Sequence, residues 1–251
     1  SKDKFWGVST GMSYRRGIAI FGGAIHYVRG RYTSNYSDID SDNYGFRIGV
    51  LFHNFVPCPD AIDPWVRFSA GYDYGDLEQK CVDYDGILRN SKPHSHLFRG
   101  AASAGIDWKI RKSLTLIPSL GLDYSHIRQS SYLETGNSQF LLSLQGDRHQ
   151  SLRPYVGVAV QYNPTGATTV GAWGQFRYET LETHSSFESG FVDYPGLRFV
   201  TRGEDRSRAS GNIGAGVQHA FANVKVGASY DLTVESGYLS HRFGINAALS
   251  F

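Results

Sequence analysis

The chain has 251 residues, with 29 Gly, 16 Tyr and 15 Phe against a single Met, and a net charge of +2. That charge is too small, and the basic residues too scattered, to indicate a nucleic-acid partner or an anionic substrate. No apolar run approaches the roughly 18 residues of a membrane-spanning helix, so a helical membrane protein is excluded, and the Gly-rich, aromatic-rich balance points to an all-β chain.

The opening stretch SKDKFWGVSTGMSYRR has no apolar core of signal-peptide length. Its residues alternate instead: Trp6, Val8, Thr10, Met12 and Tyr14 stand opposite Gly7, Ser9, Gly11 and Ser13, with a tight turn at Arg15-Arg16-Gly17. Period-two alternation is the signature of a half-buried strand. Ile18 to about Thr33 is a second strand whose two faces are both rich in Gly, Ala and apolar residues, so its orientation stays open. A polar loop from Ser34 to Asp42 follows. Tyr44, Phe46, Ile48, Val50 and Phe52 then form an apolar row opposite Gly45, Arg47, Gly49 and Leu51.

After a loop from His53 to Asp63, Val66, Phe68, Ala70, Tyr72 and Tyr74 alternate with Arg67, Ser69, Gly71, Asp73 and Gly75. Charges confined to one face of an otherwise apolar strand fit a wall with lipid on one side and water on the other. A long polar loop, Glu78 to about His94, leads to Phe98 through Ile110, with Ser103, Asp107 and Lys109 on the inner face. A short turn at Arg111 to Ser113 reverses the chain into Leu114 to Tyr124. Pro118 inside that strand cannot donate to the ladder and marks a bulge or a weakly paired position.

Beyond a loop at Glu134 to Asp147, Val156 to Tyr162 and Val170 to Tyr178 form a hairpin about Asn163-Pro164-Thr165-Gly166, with Trp173, Gln175, Arg177 and Glu179 inward. A polar loop spans His184 to Gly196. Ile213, Ala215 and Val217 begin the last three strands, a turn at Ala222-Asn223 follows, and Lys225, Ser229, Asp231 and Thr233 lie opposite Val224 to Leu232. The closing segment GYLSHRFGINAALSF sets Leu239, Phe243, Ile245, Leu249 and Phe251 on one face against Ser240, Arg242, Asn246 and Ser250. Such a strand at an open edge would expose both an apolar row and an unpaired backbone, and a closed barrel in lipid removes both problems.

The fold class expected is therefore all-β: a transmembrane antiparallel up-and-down barrel with eleven strands, joined by alternating short turns and longer loops. Single-chain bacterial barrels usually have an even strand number. A twelfth strand, N-terminal to Ser1, is the expectation, so that residues 1–251 form one barrel domain lacking its first strand.

Resemblance adds to this reading. The block LTLIPSLGLDYSHIRQSSYLETGNSQFLLSLQGDRHQSLRPYVGVAVQY (114–162), the second hairpin IAIFGGAIHYVRGRYTSNYSDIDSDNYGFRIGVLF (18–52) and the last three strands (197–251) resemble the autotransporter β-domain, the translocator of type V secretion. The resemblance implies a bacterial outer-membrane location and a twelve-stranded barrel, threaded by a helix that leads to an N-terminal passenger. It also implies lipid, lipopolysaccharide and the barrel assembly machinery as partners, and no nucleic acid. Gly244, Leu249 and Phe251 resemble the C-terminal signal that this machinery reads, with a departure at Asn246, where a Gly is commonest. The alternatives are a small outer-membrane pore and, behind it, a barrel hydrolase.

No cofactor, metal or catalytic residue is expected. Asp147 and His149, two apart, would share a strand face as an acid-base pair, but no second carboxylate pair stands out. Ser125 and His126 are adjacent and point to opposite faces. His26, His53, His94, His96, His184, His219 and His241 show no ligand spacing. Lumen-facing positions are Arg47, Arg67, Asp73, Asp107, Lys109, Asp123, Arg177, Glu179, Lys225 and Asp231, a set suited either to a hydrated wall of mixed ion pairs or to contact with a plug or a passing chain. Cys58 and Cys81 flank one strand from Pro64 to Asp76. At about 3.3 Å per residue their separation is roughly 40 Å, and a disulfide needs Cα atoms within about 7 Å. They are expected to remain unbonded to each other.

Overall fold

The computed structural model describes the chain apart from residues 1, 35–36, 57, 83–85, 139, 182–185, 195, 204–206 and 251. Its strands are β1 (Lys2–Arg16), β2 (Ala19–Thr33), β3 (Ser37–His53), β4 (Ile62–Val82), β5 (Leu88–Ser91), β6 (His94–Arg111), β7 (Leu114–Gln129), β8 (Tyr132–Leu133), β9 (Thr135–Gly136), β10 (Leu142–Leu144), β11 (Arg148–Thr165), β12 (Thr168–Tyr178), β13 (Ser186–Phe191), β14 (Arg198–Arg202), β15 (Ala209–Phe221), β16 (Val224–Glu235) and β17 (Tyr238–Leu249). Eleven of them form one antiparallel meander, in the order β1-β2-β3-β4-β6-β7-β11-β12-β15-β16-β17. These are the eleven strands read from the alternation.

The ladder is nearly continuous because each strand presents the same period-two face to its neighbours. Registers such as Tyr27↔Tyr44 and Phe46↔Tyr72 keep outward residues beside outward residues across β2, β3 and β4. On the β6–β7 ladder the pairing passes from Gly105↔Ser119 to Trp108↔Leu116, with Pro118 in the interval. Pro118 still sits opposite Val158 on the β11 side. The proline is thus a local gap in one ladder and not a strand end.

The outward face is apolar and open. Phe243 and Ile245 are 80% and 88% exposed, and Ile25, Ile48, Phe68, Leu120, Val156 and Ile213 share this face. A water-soluble domain would hide such a surface, and here a bilayer is the apolar phase that covers it. Rings collect at the outer rim of that face: Trp6 meets Tyr27 at 5.4 Å, Tyr27 meets Tyr44 at 5.1 Å, and Tyr72 meets Phe98 at 5.0 Å. Aromatic side chains favour the lipid headgroup level, and a girdle there is expected of a membrane barrel. β2, ambiguous in sequence, takes its orientation from this row, with Phe21, Ile25 and Tyr27 outward and His26 inward.

The tight turns at Gly17, Lys112-Ser113, Gly166-Ala167 and Ala222-Asn223 lie at one end, with Ser250 and with residues 54–56 and 58–61. The other end holds the remaining longer connections and the tight turn at Ser236-Gly237. In an outer-membrane barrel these ends are periplasmic and external.

Four expected loops are partly strand. The polar stretch from Ser34 to Asp42 becomes β3 from Ser37, because Arg29 and Arg31 stand opposite Asp42 and Asp40 and pair with them at 3.9 Å each. Opposite charges facing each other across strands support a ladder in water, where no lipid-facing row is needed. β4 likewise runs on to Val82, with β5 paired to it. The regions 134–147 and 184–196 contribute to a separate four-stranded sheet, β14-β13-β10-β8. Its rings from Phe140, Phe191 and Phe199 meet at 6.3 and 5.6 Å. Alternation templates miss strands of two to six residues.

Lipid-facing residues should be intolerant of charge near mid-membrane. Ile245→Arg is expected to lower unfolding stability by about 2–4 kcal/mol, whereas Lys225→Ala on the inward face should change it by less than about 0.5 kcal/mol. Urea titration followed by heat-modifiable electrophoretic mobility reads both.

Candidate functional site at the lumen face

Inward side chains make the chemistry of this molecule. A concave recess of about 510 Å³ is lined by Arg47, Arg99, Asp123, Ser125, His149, Ser151, Arg153 and Arg177, among others. Four guanidinium groups and one carboxylate in that lining leave it cationic. Asp123 forms an ion pair with Arg177, Oδ2 to Nε 3.4 Å, and the Arg177 guanidinium lies 6.0 Å from the centre of the Tyr155 ring.

A second cluster is built on neighbouring strands. His26 on β2 reaches Asp73 on β4 across Gly45 of β3, and Arg99 of β6 closes on Asp73 at 3.2 Å. A Cβ at Gly45 would sit 2.5 Å from the Asp73 carboxylate and 2.6 Å from the imidazole, so the bridge exists only because that position carries no side chain. Trp173 repeats the device on the far side. Its indole passes over Gly214 of β15 and donates to Asp231 of β16 at 2.9 Å.

Glu179, just past the end of β12, is 3% exposed. Its carboxylate accepts from Ser151 Oγ, from Leu152 and Leu181 backbone N–H at 3.0 and 3.1 Å, and from Arg153 at 2.9 Å. Arg153 also approaches Glu235 at 3.6 Å, so one network ties the external ends of β11, β12 and β16. Burial alone would raise the carboxyl pKa. The four donors overcome it and hold the group at about 2, below the ordinary 4.5.

Arg67, Asp107 and Lys225, expected at the lumen, stand on the face opposite the apolar row of their strands. Arg67 donates to Ser103 at 3.3 Å and stacks on Trp65, whose indole donates to Asp107 at 2.9 Å. Lys225 is exposed on the inner face of β16. His26, Arg99 and Arg153 join this inner set only in the structure: His26 lies on the strand that sequence leaves unassigned, while Arg99 and Arg153 follow from the parity of Phe98 and Val156. His149 lines the recess, but Asp147 precedes β11 and accepts from the Arg148 N–H at 2.7 Å, so the two do not share a strand face. Ser125 and His126 lie on opposite faces, as their adjacency requires. His53, without ligand spacing in sequence, is brought by the fold beside Asp63 and Asp107. Both cysteines are free, at opposite ends of β4. Gly244 and Leu249 lie on β17, opposite Ser229 and Val224. Phe251 and His184 fall outside the described residues.

An antiparallel meander with an apolar exterior, an aromatic girdle and a charged interior is a transmembrane β-barrel wall. The Autotransporter beta-domain family matches residues 1–231. Outer membrane protein A of Rickettsia conorii is 23% identical over 165 residues, covering 64% of this chain and 8% of that protein. Its Rickettsia rickettsii counterpart is 22% identical over the same length and covers 7% of that protein. The chain thus spans under a tenth of the curated relatives it matches. Among solved structures, the translocator domain of the autotransporter NalP from Neisseria meningitidis superposes with a TM-score of 0.78 at 14% identity, covering 99% of this chain and 82% of that one. The transport unit of AIDA-I from Escherichia coli gives 0.61 at 14% identity, with 99% and 83% coverage. The chain belongs to the autotransporter β-domain family. It is an outer-membrane translocator barrel, and its cellular location is the bacterial outer membrane.

Two measurements test the lumen network. Because the folded Glu179 pKa is depressed, its stabilisation is complete above about pH 4.5 and is lost as pH falls towards 2. The difference corresponds to about 3 kcal/mol. Glu179→Gln should remove that part of the pH dependence in urea unfolding and should also destabilise at pH 7, since Arg153 loses its buried partner. Gly214→Ala should push the Trp173 indole off Asp231, shift its fluorescence, and cost about 1–3 kcal/mol.

Proposed function

We propose that residues 1–251 form the anchoring and export barrel of a longer protein, whose passenger precedes it and crosses the membrane through this lumen. Strand parity carries the reading. In an antiparallel meander of eleven strands the first and last run in the same direction, so β1 and β17 cannot pair directly with the antiparallel geometry used everywhere else. One more strand between them, supplied by sequence before Ser1, is antiparallel to both and satisfies both open edges.

The mixed-charge lumen supports a transit role. Arg47, Arg67, Asp73, Asp107, Asp123, Arg177, Glu179, Lys225 and Asp231 give a hydrated wall of both signs, in which Asp73, Asp123 and Glu179 pair with Arg99, Arg177 and Arg153, and exposed charges in water hold a passing extended peptide only loosely. No catalytic group is required. Free energy comes from folding of the passenger outside the cell, with no nucleotide hydrolysis. Gly244, Leu249 and Phe251 serve as the signal for the barrel assembly machinery, and the outer aromatic rim with Arg29 and Arg31 above it meets lipid and lipopolysaccharide.

The mass and N-terminal sequence of the mature polypeptide in purified outer membranes test this. The expected result is a much longer chain, or a passenger fragment from the same precursor, accessible to protease on intact cells. A mature product beginning near Ser1, with steady ion conductance in planar bilayers, would overturn export in favour of a pore.

A further inference from the structure

We propose that His53, Asp63 and Asp107 form a binding site for a divalent transition-metal ion of the zinc class, which ties together the periplasmic ends of β3, β4 and β6. One imidazole nitrogen and two carboxylate oxygens lie within 4.8 Å of one another on the lumen face. The three residues come from three adjacent strands, and Asn54, just past β3, contacts Asp63.

Three observations favour a metal over a simple ion pair. Asp63 and Asp107 are direct cross-strand partners, and like charges so placed repel each other unless a cation or a proton intervenes. Lys109, the nearest ammonium group on β6, donates to the Asp60 carbonyl at 3.3 Å in the periplasmic loop. The compensating charge is therefore not locked between the carboxylates.

The second observation is the state of His53. Its Nδ1 atom is buried and has no hydrogen-bond partner. The nearest carboxylate oxygen, Asp63 Oδ2, lies 3.6 Å away, beyond an N–H···O hydrogen bond. Two ligands on one zinc ion, each about 2.0–2.2 Å from it in tetrahedral geometry, lie at nearly that separation. The gap suits an ion bridging the two atoms better than a proton.

Third, one oxygen of each carboxylate is already oriented. Asp63 Oδ1 accepts the Asn54 N–H at 3.1 Å, a bond that N–H shares with the Pro64 carbonyl at 3.0 Å, and Asn54 holds a positive φ of 50° in this turn. Asp107 Oδ1 accepts the Trp65 indole at 2.9 Å, with the ring seated where a Cβ on Gly105 would collide with it. Donors held on the non-ligating atoms of metal carboxylates fix their direction and raise affinity. A mix of imidazole and carboxylate with an open fourth position selects zinc-class ions over calcium or magnesium, which prefer all-oxygen sites.

The test uses protein purified from outer membranes in detergent and stripped with chelator, with Cys58→Ser and Cys81→Ser removing thiol binding. Zinc is added alone and followed by calorimetry and by the temperature at which folded electrophoretic mobility is lost. One saturable equivalent and a raised transition temperature are expected. Asp63→Asn, Asp107→Asn and His53→Gln should each weaken zinc binding by at least about tenfold, whereas His94→Gln should leave it unchanged. Without metal, the two Asp→Asn variants should be as stable as the parent or more so, because each removes a like-charge contact; this separates loss of the site from failure to fold. Absence of saturable zinc uptake, equal uptake by the Asp→Asn variants, or loss of uptake on His94→Gln would overturn the proposal.

Discussion

Every backbone N–H and C=O inside a bilayer must find a partner within the protein, since hydrocarbon offers none and each unpaired group costs several kcal/mol. This constraint explains most of the molecule. It requires strands in one uninterrupted ladder, and it limits where a proline can stand: Pro118 is held by β11 on one side while its β6 ladder is interrupted. Where water replaces lipid, the same ladder continues with different side chains. Arg29 against Asp42 and Arg31 against Asp40 extend β2 and β3 outward on paired charge.

Once the ladder is fixed, the interior is arranged by size. Glycine on one strand lets side chains from its neighbours meet above it. His26 and Asp73 meet over Gly45, and Trp173 reaches Asp231 over Gly214. In a single-layer wall there is no opposing sheet to pack against, so these bridges over glycine supply the lateral stiffness that a second layer gives a sandwich. The Gly-rich composition therefore records a packing rule of the lumen as well as the needs of turns.

Most of the wall is legible in sequence because lipid and water impose opposite demands on alternate residues. β3 is plain where one face holds Tyr44, Phe46 and Ile48 and the other Gly45, Arg47 and Gly49. β2 resists because Gly22, Gly23, Ala24 and Ile25 fit either face, and only pairing with β3 orients them. The external strands are hidden for a different reason: both faces of β3 from Ser37 to Asn43 are wet, so alternation has nothing to record. The His53, Asp63 and Asp107 cluster is invisible in sequence because its members are separated along the chain and adjacent only through register.

Strand length varies around the wall. β4 has 21 residues and β17 has 12, and at about 3.3 Å per residue the difference is roughly 30 Å along the strand. After allowing for a tilt near 40°, the two strands differ by roughly 20 Å in extent along the barrel axis, and β3 and β4 continue outward together from Ser37↔Cys81 to Asp42↔Asp76. The outer mouth is thus shaped like a slanted parapet, high at β3, β4 and β6 and low at β16 and β17. For the passenger exit proposed above, such a rim would set a wall on one side and open space on the other, so that the first folded contacts of the emerging chain would form over the low flank.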